Sequence, residues 1–293
     1  MFTNKTFLIT GIADENSLAM FVAKKIIENG GKVICTGLGV SKFHQNLSEK
    51  AKSFLEKNYA DFQKSVKDEL GDNTQTEILD VTLEETVDAF AKKLKENNIK
   101  VDGFLHAIAM DKTIRQKSVK PMLEVTADEF NDTMTVSAFS LISLSHALLK
   151  SKVLQNGASI VTLSYIAAEK VSFFPYINMS IAKAALERLT IEMAYELGRD
   201  FGIRANCVRF SPYMGSKAGN ATLKIEDVER AMDIIMKHNQ QVVLMQCNTN
   251  YTASLENYKH INLRVLKSFR KKYPGVILGL SDHTHGHATV LGA

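Results

Sequence analysis

Lys5-Thr6-Phe7-Leu8-Ile9-Thr10-Gly11-Ile12-Ala13-Asp14-Glu15-Asn16-Ser17-Leu18-Ala19 is the stretch on which the fold turns. Its first six residues are a short apolar run ending at a glycine, the pattern of a buried parallel strand entering a tight turn. From Ser17 to Asn29, Leu18, Phe21, Val22 and Ile26 recur at helical spacing, and Gly30-Gly31 stops the helix. Such a turn aims backbone N–H groups at the place where a nucleotide pyrophosphate binds. The usual glycines are not all there, since Ala13 and Ser17 occupy small-residue positions. An ordinary strand–turn–helix with Ser17 as N-cap fits the same residues. Gly11, Ile12, Ala13, Ser17 and Leu18 are the candidate cofactor contacts of this turn.

The alternation continues outward. Strands are expected at Lys32–Thr36, Thr76–Val81, Val101–Ala109, Ala158–Tyr165 and Arg204–Ser211. Between them lie a long polar helical stretch and helices at Leu83–Asn97, Thr126–Lys152 and Tyr176–Phe201. Strands alternating with helices imply an α/β, doubly wound, Rossmann-like parallel sheet. After about Thr222 the character changes: helix Ile225–His238, strand Gln241–Cys247, helix Leu255–Lys272, strand Val276–Leu280, then the start of another helix. A junction within 219–224 divides the chain into a dinucleotide-binding domain, 1–220, and a β/α segment, 221–293.

Composition narrows the class. The 293 residues are 45% hydrophobic with four prolines, as a globular α/β chain requires. The net charge is +4 with acids and bases interleaved and no basic block, which argues against nucleic acid. Cys35, Cys207 and Cys247 are odd in number and far apart, as reduced cytoplasmic thiols would be. Met1-Phe2-Thr3-Asn4-Lys5 leads straight into a strand, so no signal peptide is expected, and no apolar run is long enough for a membrane span.

The chemistry concentrates in Phe173-Phe174-Pro175-Tyr176-Ile177-Asn178-Met179-Ser180-Ile181-Ala182-Lys183. Tyr176 and Lys183 are close to two helical turns apart and share a face. A nearby ammonium lowers a phenol's pKa and helps stabilise negative charge on a bound oxygen. Asp80, ending the third strand, could accept from an adenine amino group or cap the surface. The second strand ends Cys35-Thr36-Gly37-Leu38-Gly39 without an acid for a ribose 2′-hydroxyl, which leaves NADH and NADPH both open.

Together these residues resemble the short-chain dehydrogenase/reductase superfamily, and more closely its enoyl-acyl-carrier-protein reductase branch, over about residues 3 to 220. Ordinary members place the catalytic Tyr four before the Lys, which is Met179 here, whereas the enoyl reductases place it seven before, as Tyr176 is. Leu163-Ser164-Tyr165 resembles the place of that branch's second Tyr. Val101-Asp102-Gly103-Phe104-Leu105-His106-Ala107-Ile108, Asp80-Val81 and Lys183-Ala184-Ala185-Leu186-Glu187 match as well. Val81, Ala107, Ile108, Lys183 and Pro212 join the cofactor contacts on this likeness. Ser211-Pro212 stands for the family's Gly-Pro, and the Thr that follows it there is absent, with Ser216 nearby.

The family's ending, a helix pair over the substrate and a seventh strand, is not recognisable. Asp227-Val228-Glu229-Arg230-Ala231, the run from Gln241 to Tyr251, Leu255-Glu256-Asn257 and Gly279-Leu280-Ser281-Asp282-His283-Thr284 resemble N-acetylneuraminate (sialic acid) synthase instead. That family is a TIM barrel, of which only about two β/α units are present, and its partner metal-ligand His falls at Gln246. His283, His285 and His287 could chelate zinc as alternate imidazoles or be solvated in an inherited loop, and no metal is expected.

The resemblance implies NADH- or NADPH-dependent reduction of a trans-2-enoyl thioester, carried by acyl carrier protein or CoA, in fatty acid synthesis. Tyr176 would hydrogen-bond the thioester oxygen, Lys183 would hold the nicotinamide ribose, and Tyr165 would line the pocket. Phe173, Phe174, Tyr213 and Met214 could wall an acyl chain or simply pack a core. The family implies a homo-oligomer in the cytoplasm. In one reading Gln241–Cys247 replaces the seventh strand and the enzyme works. In another the chain is a catalytically impaired fusion that keeps nucleotide binding, and in a third a partial synthase.

Overall fold

A computed structural model of the chain describes residues 1–115, 118–170, 177–210, 225–247, 263–281 and 288–292. It divides into two compact units, Met1–Leu223 and Lys224–Ala293.

The first unit is built on a six-stranded sheet. Its strands are β1 (Thr6–Ile9), β2 (Lys32–Gly37), β3 (Gln75–Ile78), β4 (Val101–His106), β7 (Leu154–Ser164) and β8 (Arg204–Arg209). They run in the order β3-β2-β1-β4-β7-β8, every pair parallel. Helices α1 (Leu18–Glu28), α2 (Glu49–Leu70), α3 (Glu84–Glu96), α5 (Ser140–Lys150) and α6 (Ile177–Phe201) connect them. A two-residue hairpin, β5 (Ile114–Arg115) with β6 (Ser118–Val119), and helix α4 (Ala127–Met134) lie between β4 and α5.

Side-chain alternation divides the core between the two faces. Leu8, Ile34 and Phe104 point to one face and pack with Phe90, Leu94, Leu141, Leu144, Leu148 and Leu186 of α3, α5 and α6. Ile9, Cys35 and Leu105 point to the other and pack with Met20, Ala23, Ile26, Phe62 and Val66 of α1 and α2. Burial pushes the Cys35 thiol up to about 12, so it is unreactive.

Several boundaries differ from expectation, among them the start of β7 at Leu154 and the end of β4 at His106. The third strand ends at Ile78, so Asp80 lies in the loop beyond it. The helix expected over Thr126–Lys152 is interrupted by a π segment, Thr135–Phe139, between α4 and α5. A capping box of Thr126 and Glu129 starts α4, and the Thr126 amide, with the Lys120 ammonium second, holds the Glu129 carboxyl low.

The second unit contains α7 (Ile225–His238), β9 (Val243–Cys247), α8 (Arg264–Lys272), β10 (Ile277–Ser281) and α9 (Ala288–Gly292). Strands β9 and β10 pair in parallel with α8 between them, a single βαβ unit. The strand expected at Gln241–Cys247 is β9, paired with β10 in a two-stranded sheet. Of the helix expected over Leu255–Lys272, residues before Leu263 lie outside the described region. Among the described residues no helix is long and apolar enough to cross a membrane.

The order of strands reverses between β1 and β4, and crevices at the carboxyl ends of such strands bind ligands. Thr10 stitches these ends together: its hydroxyl donates to the Leu105 carbonyl at 2.9 Å and accepts from the Ala107 amide at 3.2 Å. Gly11 follows at φ +78°, and a Cβ there would come within 2.2 Å of the Ala107 carbonyl oxygen. A Gly11→Ala substitution is expected to cost about 2 kcal/mol or more through this overlap. Urea unfolding checks it, and an unshifted midpoint would mean that the turn can move to admit a methyl group.

Candidate functional site

At the start of α1, Ser17 is the N-cap: its hydroxyl accepts from the Met20 amide at 3.3 Å and donates to the Asp14 carbonyl at 2.8 Å. No acidic residue occupies the first helical turn, so the positive end of the helix is not neutralised from within. Ile12 is buried in the core, while Ala13 is exposed and Leu18 half-buried at the surface of the turn. Ala107 and Ile108 follow β4 and are half-buried, and Val81 packs against the core after β3. The Ala107 carbonyl leaves no room for a side chain at Gly11, so the turn stays tight against the carboxyl end of β4. A glycine turn that leads into a helix N-terminus without acidic residues in its first turn fits a dinucleotide.

Asp80 is already engaged. Its Oδ1 accepts from the Thr82 amide at 2.8 Å and the Thr82 hydroxyl at 2.6 Å. The Ser41 amide donates to His44 Nδ1 at 3.0 Å, which leaves the proton on Nε2 to donate to Asp80 Oδ2 at 3.1 Å. The carboxylate therefore ties the loops after β2 and β3 together.

Lys183 lies on α6 with 6% of its surface exposed. Its ammonium makes no hydrogen bond or ion pair among the described residues, and burial lowers its pKa to about 8. Below it His106, fully buried at the end of β4, is held neutral at a pKa of about 3 by burial and by the Lys183 charge. Ser140 gives its proton to the Val136 carbonyl at 2.6 Å, so His106 Nε2 donates to Ser140 Oγ at 2.7 Å. Ser137, inside the π segment, accepts from the Met110 amide at 3.0 Å and donates to the Met110 carbonyl at 3.2 Å. The irregular turn thus pins the chain leaving β4, and π turns of this kind recur at functional sites.

Tyr165 follows β7 and is half-buried, with its hydroxyl 3.3 Å from Ser180 Oγ on α6. Burial first, then the Asp111 carboxylate, raise the phenol's pKa, while the Ser180 hydrogen bond works against them. Ser164 donates to Glu187 at 2.6 Å, and Arg209 grips Glu187 with Nε and Nη2 at 2.8 and 2.7 Å. A further contact joins Arg209 to Glu169. This network fixes the carboxyl ends of β7 and β8 against α6 and holds the Glu187 carboxyl low.

Lys183, Tyr165, Ala107 and Gly11 therefore gather at the carboxyl ends of the strands. Tyr176, Pro212, Phe173, Phe174, Tyr213, Met214 and Ser216 lie outside the described residues, as do His283, His285 and His287. Among the described residues no cluster of His, Cys, Asp or Glu could hold a metal. Sequence reasoning passed over His106, Ser137, Asp111 and Ser180. Ser180 carried a usable signal, because it stands four after Tyr176 and three before Lys183 on the same helical face.

A family model described as enoyl-(acyl carrier protein) reductase matches residues 11–241. The chain belongs to this family. The enoyl-[acyl-carrier-protein] reductase [NADH] of Aquifex aeolicus is 30% identical over 243 residues, 83% of this chain and 78% of that protein. The corresponding protein of Haemophilus influenzae is 31% identical over 211 residues, 72% of this chain and 71% of that protein. The crystal structure of the Anaplasma phagocytophilum reductase in complex with NAD superposes with a TM-score of 0.57 at 29% identity, covering 72% of each chain. A second family model, NeuB, matches residues 216–293 and overlaps the end of the reductase match. The two matches share residues 216–241.

Burial of Lys183 has a cost that pH reveals. The unfolded chain keeps this proton to an ordinary lysine value, 10.5, and the folded reductase only to about 8. Below pH 8 both states are protonated and the full penalty, roughly 3 kcal/mol, weighs against folding. From 8 to 10.5 the penalty fades as the folded form releases its proton. Lys183→Met is therefore expected to be the more stable protein at pH 7, with the advantage gone near pH 10.5. Denaturant titrations at the two pH values check this, and a destabilised variant at pH 7 would show that the ammonium has a strong partner.

Proposed function

We propose that this chain reduces trans-2-enoyl thioesters, presented on acyl carrier protein or CoA, with NADH as the preferred dinucleotide. The carrying observation is Lys183: a buried ammonium, unpaired among the described residues, at the carboxyl ends of the strands in a member of this reductase family. A desolvated charge of that kind costs stability, and proteins retain such groups where they act.

When bound, the dinucleotide supplies hydride to the β-carbon of the enoyl group. The chain's own residues bind and orient. The turn Gly11–Leu18 takes the phosphates on backbone N–H groups, and Lys183 holds the nicotinamide ribose hydroxyls and keeps a positive potential at the site. Tyr176 gives a hydrogen bond to the thioester oxygen as negative charge collects on it, and Tyr165 lines the pocket beside it. Val81, Ala107, Ile108 and Pro212 shape the remaining cofactor surface. Residues 1–220 form the reductase domain and 221–293 a NeuB-like segment. The relatives' printed activity on acyl-carrier-protein thioesters favours such a carrier as the partner, and a cytoplasmic homo-oligomer completes the reading.

A second reading is favoured by one observation. On the α1 side of the sheet, Leu105, Val161, Leu163 and Val208 line a cavity of about 860 Å³, and Val208 on the edge strand is 48% exposed. Parallel sheets are normally covered on both faces. Uncovered among the described residues of the first unit, this face favours a chain that binds the dinucleotide and turns over poorly.

Oxidation of NADH and NADPH at 340 nm with crotonyl and longer enoyl thioesters separates the readings. Thioester-dependent oxidation that falls about a hundredfold or more in Tyr176→Phe supports the reductase. Dinucleotide binding without turnover supports the impaired form, and an unchanged rate in Tyr176→Phe removes that residue's role.

A further inference from the structure

We propose that Ser180 is a positioning residue, whose hydroxyl donates to the Tyr165 oxygen and so leaves the phenol's own proton free for the thioester carbonyl. The inference rests on the reductase reading above and assigns a direction to a hydrogen bond that geometry alone leaves open.

The two oxygens are 3.3 Å apart, and both side chains are half-buried. A tyrosine has one hydroxyl proton. If Tyr165 spent it on Ser180, only lone pairs would face a substrate, and a carbonyl oxygen, itself an acceptor, would be repelled. If Ser180 donates, the phenol accepts from one side and donates to the other. Burial and the Asp111 carboxylate keep that phenol protonated, as a donor must be. Asp111 is itself fixed: its Oδ1 accepts from the Thr113 amide at 2.9 Å and hydroxyl at 2.6 Å, and the Thr133 hydroxyl on α4 is at 3.5 Å.

Placement supports the assignment. Tyr165 is the first residue after β7, at the end of the sheet where Gly11 and Ala107 also lie. Ser180 stands three residues before Lys183 on α6, so the serine and the buried ammonium are neighbours on one helical face. The helix that holds the charge thereby also sets the direction of the second phenol. Arg209 and Glu187 keep β7 and α6 in register for this contact.

The test is a double-mutant cycle on the full chain, with crotonyl-CoA and NADH, using wild type, Ser180→Ala, Tyr165→Phe and the double variant. Alanine is a good helix former, so Ser180→Ala keeps α6 intact. In the Tyr165 background Ser180→Ala is expected to lower kcat/KM about three- to tenfold, the effect of one neutral hydrogen bond. Ser180→Thr is expected to restore it. In the Tyr165→Phe background the same change is expected to do nothing, because no phenol remains to orient. An equal loss in both backgrounds would mark Ser180 as merely structural and overturn the inference while leaving the reductase in place. No loss in either background would overturn it likewise. Wild type without thioester-dependent oxidation would overturn the reductase reading and this inference with it.

Discussion

A parallel sheet has to be buried on both faces, and this constraint organises the molecule. Adjacent residues in each strand serve opposite cores, as Leu8 and Ile9, Ile34 and Cys35, and Phe104 and Leu105 do. Helices α3, α5 and α6 pack on one face; α1 and α2 pack on the other, where their cluster takes in Leu105 of β4. Beside α1, Phe7, Leu105, Val161, Leu163 and Val208 line an apolar cavity on that face. Strand order reverses between β1 and β4, and the carboxyl ends there form the crevice where such sheets bind ligands.

That site is built by withholding partners from charge. Most ion pairs are at the surface, such as Lys64 with Asp68 and Lys25 with Glu28, and contribute little. Lys183 is different, because it is buried without a counter-ion among the described residues, beside a histidine held neutral. Around it the scaffold is stiff: the Ser164–Glu187–Arg209 network ties strand ends to α6, and the π segment ties the chain after β4 to α5. Rigid surroundings and an uncompensated cation are what stabilisation of developing negative charge requires.

The second unit obeys the same physics at smaller scale. Strands β9 and β10 satisfy each other's backbone groups in parallel register from Val243–Ile277 to Cys247–Ser281, with α8 as crossover. Within this unit β9 and β10 are each other's partners, in a two-stranded parallel sheet.

Much of this was legible in the chain. The apolar runs at Lys5–Thr10, Lys32–Thr36 and Val101–Ala109 determined the parallel sheet, since their side chains must be buried on both faces. Glycine at position 11 determined the turn, and the Tyr176–Lys183 spacing with Val101–Ile108 determined the family. Local periodicity carries such information because it depends on neighbours a few residues away. Contacts between distant segments do not. Engagement of Asp80 by His44, the burial of Lys183 over His106, the Ser180–Tyr165 contact and the pairing of β9 with β10 join residues from 15 to 77 positions apart. Only tertiary structure could decide these, because a hydrogen bond or a desolvation cost depends on which groups meet in space and on how much water is left between them.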